Sequence, residues 1–456
     1  MVRIEFIVGR VRISSGLTGL CLLLAATSFV RGQYLPEYPP LPNPNRAQSN
    51  KQAHRKILDQ YPQTPSLPPA FSIPFGPLGF SVPGENYLLR QQSLVSLDFL
   101  DEDRILFTFR VSGLIERDSD DETEGKEQRI RALVVAIPSG KIESQAEWIV
   151  PDRSRYLWML NDGHFLLRGP GGLDEGDSEL KTKPYLHLPG RLLWIQLDPR
   201  QQFMVTNSLE SATPAQKTGE GALPAPDPPN AGVVGPIPNR QDVLVSRTIK
   251  RASGEVMRVT RYPYTSQTSD WPMNSDGYLE GSRDKGIKWL LKLNYHAGGD
   301  RVVAHLESTC PPKYSYVSES ELLVTTCDPN GGWKLAAMST RGDSLWEARA
   351  STNTMWPLLV MDPGGSRIAR ETLLLKLSAE RYKKRLLGAS DIQGQMVRVF
   401  DAANNKVVLE APLTPILDGG GNVAISPSGL RVAILNAGAI QIFQLPAPSP
   451  PRAASN

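Results

Sequence analysis

The chain has 456 residues, 40% hydrophobic and 21% charged, which is enough apolar material for a packed core of several hundred residues and excludes wholesale disorder. Its formal charge of +3 resides in residues 1–32, where Arg3, Arg10, Arg12 and Arg31 outnumber Glu5. The remainder is neutral and has no basic stripe, which argues against a nucleic-acid partner or an anionic membrane surface.

Taken in chain order, the first element is an export signal. Three arginines precede the apolar run LTGLCLLLAATSFV at residues 17–30, too short to span a bilayer comfortably. This predicts a signal peptide over residues 1–32, cleaved before Gln33 or Phe29, and a secreted or periplasmic protein; an uncleaved anchor is the alternative. Cys21 lies inside the run rather than after a small residue at its end, which argues against lipidation. No later stretch approaches 18 consecutive apolar residues, so stable membrane insertion of the mature chain is not expected. Much of the proline lies in three segments, which predicts a flexible leader over 33–70, a disordered insert over about 208–240 and a tail over 446–456. The folded body is expected over 71–445.

With Cys21 removed, Cys310 and Cys327 remain as a pair in an exported chain. A disulfide between them is expected, with two buried free thiols as the alternative. His54, His164, His187, His296 and His305 show no ligand spacing, so neither a metal nor another cofactor is expected.

Recurring turns between short β-rich runs organise the body. A first type of turn falls near residues 102, 162, 319, 363 and 427, each with Gly, Pro, Asn, Asp or Ser between two apolar runs. A second type follows, as in ALVVAI-PSG-KI from Ala132 and LLWIQL-DPR from Leu192. Two alternating hairpins make a four-stranded antiparallel unit, and such units repeated every 45 to 65 residues predict an all-β fold, a β-propeller. The count gives about six blades, or seven if the interval 207–300 hides another. The last unit stops one strand short, and a strand within residues 79–89 is expected to complete it. A β-sandwich or two unrelated all-β domains is the architectural alternative. The best helical stretch is ETLLLKLSAERYKKRLL at residues 371–387, which also reads as a strand running into a basic loop.

The run SLDFLDEDRILFTF, then YLWMLNDGHFLLR, ESTCPP with its second cysteine, GSRIARE and AISPSGLRVAIL resembles secreted, uncharacterised WD40/YVTN-like propeller proteins of acidobacterial type. The resemblance spans about residues 90–445 and implies architecture without site residues, since the chain lacks regularly spaced GH and WD dipeptides.

Short motifs are mostly rejected. Arg341-Gly342-Asp343 matches an adhesion tripeptide and Gly342-Asp343-Ser344-Leu345 a lipase nucleophile block, but Ser344 leads into a strand pattern. The acidic segment 116–127 lacks the glycine and terminal glutamate of an EF-hand loop. Trp148, Trp158, Trp194, Trp271, Trp289, Trp333, Trp346 and Trp356 read as blade-packing residues rather than a stacking site. No catalytic residue emerges. The expected function is a non-enzymatic, monomeric binding or scaffold module for a protein, peptide or glycan. The alternative is an enzyme at the channel mouth, such as a lyase, glycosidase or quinoprotein-type dehydrogenase.

Overall fold

The structure is a computed structural model that describes residues 67–82, 95–111, 127–151, 155–169, 171–211, 242–263, 272–329, 332–350, 353–355, 358–377, 391–417 and 420–449. The signal segment, most of the leader, Trp271, Trp356 and residues 116–126 lie outside the described residues.

Short strands with two apolar faces cannot stand alone, and here seven small antiparallel sheets bury them against one another in a ring, a β-propeller. The first strand, β1 (Phe71–Pro74), is used last. Blade 1 comprises β2 (Val95–Phe99), β3 (Arg104–Arg110), β4 (Glu127–Ala136) and β5 (Ile142–Pro151). Blade 2 holds β6 (Leu157–Met159), β7 (Phe165–Gly169), β8 (Gly172–Gly176) and β9 (Thr182–His187). Blade 3 follows with β10 (Arg191–Leu197), β11 (Phe203–Ser211), β12 (Asp242–Lys250) and β13 (Glu255–Pro263). In blade 4, β14 (Gly277–Lys285), β15 (Lys288–Tyr295) and β16 (Asp300–Glu307) form the described sheet. Blade 5 has β17 (Lys313–Tyr316), β18 (Glu321–Cys327), β19 (Trp333–Ser339) and β20 (Ser344–Arg349). Blade 6 begins with two short strands, β21 (Thr354–Met355) and β22 (Leu359–Met361), both on β23 (Arg367–Leu375), and continues to β24 (Ile392–Asp401) and β25 (Lys406–Leu413). Blade 7 closes with β26 (Val423–Ile425), β27 (Arg431–Asn436) and β28 (Ala439–Gln444).

The ring closes through β1, whose Phe71, Ser72, Ile73 and Pro74 pair with Ile442, Gln441, Ile440 and Ala439 of β28. Ile73 is buried, and Phe75 and Phe80 just beyond it pack on Phe107 of blade 1 at 6.4 and 5.3 Å between ring centres. The closing strand is therefore Phe71–Pro74 and not one within 79–89. Phe75–Leu78 is a single helical turn ended by Gly79 at φ +71°, and residues 83–94 lie outside the described residues.

The ring has seven blades, the higher of the two counts the turns allow, because the stretch between residues 162 and 319 conceals two first-type turns. Asp198-Pro199-Arg200 joins β10 to β11 and so opens blade 3 rather than closing blade 2, and a turn over residues 274–277 brings Met273 back onto Tyr278 of β14, so that β14 is the second strand of blade 4 and Gly286 joins it to the third. Residues 208–211 belong to β11, paired with β12 from Ser208↔Val245 to Ser211↔Asp242, so the insert begins later than expected. Glu371–Leu375 complete strand β23, whose side chains are all buried, and residues 378–390 lie outside the described residues.

Six of the seven seams between blades are filled by apolar clusters. Leu97, Phe107 and Leu435 share one between blades 7 and 1, while Leu106, Trp148 and Phe165 share that between blades 1 and 2. Leu166 with Met204, Leu291 with Val324, Leu323 with Ile368, and Val399 with Ile434 mark the next ones. Between blades 3 and 4 the cluster shrinks to buried Leu244 with half-buried Leu193 and Tyr278.

Candidate functional site

The first strand of each blade lies nearest the ring axis. Along such a strand, alternate side chains enter the seam on either side. In β2, Val95, Leu97 and Phe99 pack toward blade 7, which sends Ser96 and Asp98 toward blade 2. There Ser96 Oγ donates to Asp98 Oδ2 at 2.5 Å, and Thr108 Oγ1 meets Tyr156 Oη at 2.6 Å. Burial raises the Asp98 pKa, against the opposing pull of Ser96 and the positive Arg155. Arg155 retains solvent contact but is enclosed enough that its pKa falls, with Asp98 opposing the fall. Its guanidinium lies 5.7 Å from the centre of the Trp158 ring, and its Nε donates to Leu157 O at 3.0 Å.

One seam further on, β7 turns Phe165 and Leu167 toward blade 1 and Leu166 toward blade 3, so Arg168 also points to blade 3. Its guanidinium donates to the Arg155 carbonyl at 3.4 Å and to the Leu192 carbonyl. Arg168 is 4% exposed, and burial together with the charge of Arg191 lowers its pKa to about 10. Arg191 is exposed at the head of β10. Three arginines thus lie where the innermost strands of blades 2 and 3 begin, Arg168 against the charge of Arg191 and Arg155 beside the carboxylate of Asp98. A planar guanidinium suits a carboxylate ligand, which it can clasp through two parallel hydrogen bonds, and the exposed Arg155 and Arg191 can present theirs, whereas buried Arg168 spends both terminal nitrogens on carbonyls and adds only its charge.

This site was missed at the sequence level, although a signal existed: Arg155-Tyr156-Leu157-Trp158 in one blade is matched by Arg191-Leu192-Leu193-Trp194 in the next. Arg168 carried no comparable mark, because its position opposite Tyr156 depends on strand pairing.

The residues singled out from sequence fall elsewhere. Cys310, in the link into blade 5, forms a disulfide with Cys327 at the end of β18, their Cα atoms 5.5 Å apart. Ser308 Oγ accepts the Cys327 N–H at 2.9 Å and supports the same corner. Arg341-Gly342-Asp343 forms the β19–β20 turn, where Gly342 adopts φ +98° against the Val303 carbonyl and Ser344 opens a strand. Trp148, Trp158 and Trp289 are buried packing residues; Trp289 and Trp346 donate to the carbonyls of Ser308 and Ala402 at 3.0 and 3.1 Å. His164 lies 3.8 Å from Glu175, and among the described residues no group of three or more His, Cys, Asp or Glu side chains could hold a metal ion. Among them, too, no helix is long and apolar enough to cross a membrane.

No known family and no curated protein matches the chain. Among solved structures, it is similar to an acylaminoacyl peptidase from Pyrococcus horikoshii, at 10% identity and a TM-score of 0.45 over 77% of this chain and 52% of that one. The chain therefore spans about half the length of that peptidase. It is also similar to Kuenenia stuttgartiensis hydrazine synthase, at 13% identity and a TM-score of 0.40 over 76% and 94% of the two chains. An oligogalacturonate lyase in complex with manganese follows at 11% identity and 0.36 over 78% and 97%.

Proposed function

We propose that the chain is an exported, non-catalytic binding propeller of the WD40/YVTN-like kind that holds an acidic peptide segment at the axis ends of the seams joining blades 1, 2 and 3. The observation that carries this reading is the placement of three arginines at the axis ends of neighbouring seams, Arg168 against the like charge of Arg191 and Arg155 beside Asp98, whose ionisation burial opposes. Crowded like charges are unfavourable in the empty site and become favourable when an anion arrives, which converts repulsion into binding selectivity. Export is supported by the signal-like N-terminus and by the disulfide. The enzyme alternative needs cooperating groups such as a carboxylate pair. Half-buried Asp98 and buried Glu371 lie in different seams, the first facing blade 2 and the second facing blade 7, while the buried Asp362 and Asp401 both hold Arg367.

Fluorescence anisotropy of a labelled hexaglutamate peptide tests the proposal, with hexalysine as control. The glutamate peptide is expected to bind, more weakly as salt rises, and to lose about tenfold in affinity in each of R155Q and R191Q. Equal binding of hexalysine, or affinities unchanged in both variants, would overturn it.

A further inference from the structure

The seam between blades 3 and 4 is built differently from the other six. On β12, Leu244 enters it, so Ser246, two residues on, faces the same way. Cross-strand partners share a face, and the register Trp194↔Asn207, Asn207↔Ser246 and Ser246↔Thr260 therefore lays a polar row across blade 3. Asn207 is 1% exposed and its Oδ1 has no hydrogen-bond partner; the Nε1 of half-buried Trp194 has none either. An unmatched acceptor and an unmatched donor thus stand side by side, at one level of the sheet, facing the same seam.

The opposite wall is polar too. On β14, Leu279 packs toward blade 5 and Tyr278 toward Leu244, so Glu280 also faces blade 3. From β15, Asn294 donates to Glu280 Oε2 at 3.0 Å, and Lys292 pairs with Asp300 at 2.6 Å. Arg258 of blade 3 lies 5.9 Å from the centre of the Tyr278 ring. At the outer end the described sheet of blade 4 stops at β16, where Val302, the register partner of Lys292, is 45% exposed.

We propose that this seam binds a neutral oligosaccharide, independently of the arginine site. The indole of Trp194 offers a flat apolar surface for the C–H face of a sugar and an N–H for a hydroxyl. The Asn207 and Glu280 oxygens accept further hydroxyls, and hydroxyl groups, being both donors and acceptors, match both unmet atoms at once. The two carboxylates Glu280 and Asp300 are offset by the two cations Lys292 and Arg258, so the seam carries no net charge to draw a charged ligand, which favours an uncharged one. A site whose buried polar groups are satisfied only by hydroxyls also discriminates against ligands that lack them.

The test titrates the full-length protein with maltohexaose, cellohexaose and laminarihexaose, read by tryptophan fluorescence and calorimetry. At least one is expected to bind, with affinity reduced about tenfold by W194F, which keeps the stacking face and removes the N–H, and by E280Q. R155Q, in the separate arginine site, should leave it unchanged. Melting temperatures identify a misfolded W194F, and half-buried Glu280 tolerates the isosteric change, so E280Q then decides. No binding of any of the three sugars at about 10 mM, or binding unaltered in folded variants, would overturn the proposal.

Discussion

Arg367 is fully buried at the start of β23, where its guanidinium spans blades 6 and 7. It meets Asp401 Oδ2 at 3.0 Å, donates to the Gly429 carbonyl at 3.3 Å, and also reaches the Pro446 carbonyl in the tail. Removing one partner of a buried pair strands the other, so R367A should destabilise by about 3–5 kcal/mol in urea unfolding, far more than an exposed arginine would. Glu371, four residues on, has the opposite character. Gln395 Nε2 donates to its Oε2 at 2.8 Å, Oε1 has no partner, and burial raises its pKa from 4.5 to about 8. The folded state therefore holds a proton that the unfolded state releases above pH about 4.5, and stability should fall as pH rises from there to about 8 and level off beyond. E371Q should flatten that fall, measured by urea midpoints across the pH range; an unchanged profile would show that Glu371 is ionised in the fold at neutral pH.

At the scale of elements, the strand that closes the ring and the disulfide carry separate expectations. Ala70 N–H donates to Ile442 O at 2.7 Å and Ile73 enters the core shared by blades 7 and 1. A truncation through residue 74 should therefore melt well below one through residue 66, because only the former bares the edge of β28. Equal melting temperatures would mean that β1 contributes nothing to closure. The Cys310–Cys327 bond closes a loop with a sequence separation of 17, and the paired C310S/C327S variant should lose about 3 kcal/mol on the chain-entropy account. Turns were the most legible elements from sequence, for a local reason. Asp198 Oδ1 accepts the Phe203 N–H at 2.6 Å, Asp362 Oδ1 accepts the Arg367 N–H at 2.5 Å, and Ser426 Oγ accepts the Arg431 N–H at 3.1 Å, so each turn carries its own cap. The closing strand was misplaced because FSIP offers only four residues, and its pairing with β28 is a contact between residues nearly at opposite ends of the chain. Likewise Asp198-Pro199-Arg200 looked like any hairpin turn, and only its place in the sheet order marks it as the first of a blade.

For the whole molecule, the propeller class was legible because each blade repeats the same local pattern, whereas the seams were not, since they are made by faces that the chain brings together around the ring. Two of those seams set the extremes. Between blades 7 and 1, Phe75, Phe80, Phe107 and Phe109 pack with Ile73, Leu97 and Leu435, each large side chain contributing roughly 1.5–3 kcal/mol of burial. Between blades 3 and 4, Leu244 is the one buried residue of the cluster. The ring is thus held most firmly where its ends meet and least firmly at the polar seam, which is also where a ligand is expected to enter. Native-state hydrogen exchange on the ligand-free protein tests this most directly, because it reports opening free energy segment by segment. Amides of β12 to β15 should exchange first through local opening, while those of β3, β27 and β28 should exchange only with global unfolding. Exchange in the reverse order, with β27 and β28 opening before β12 to β15, would contradict the account.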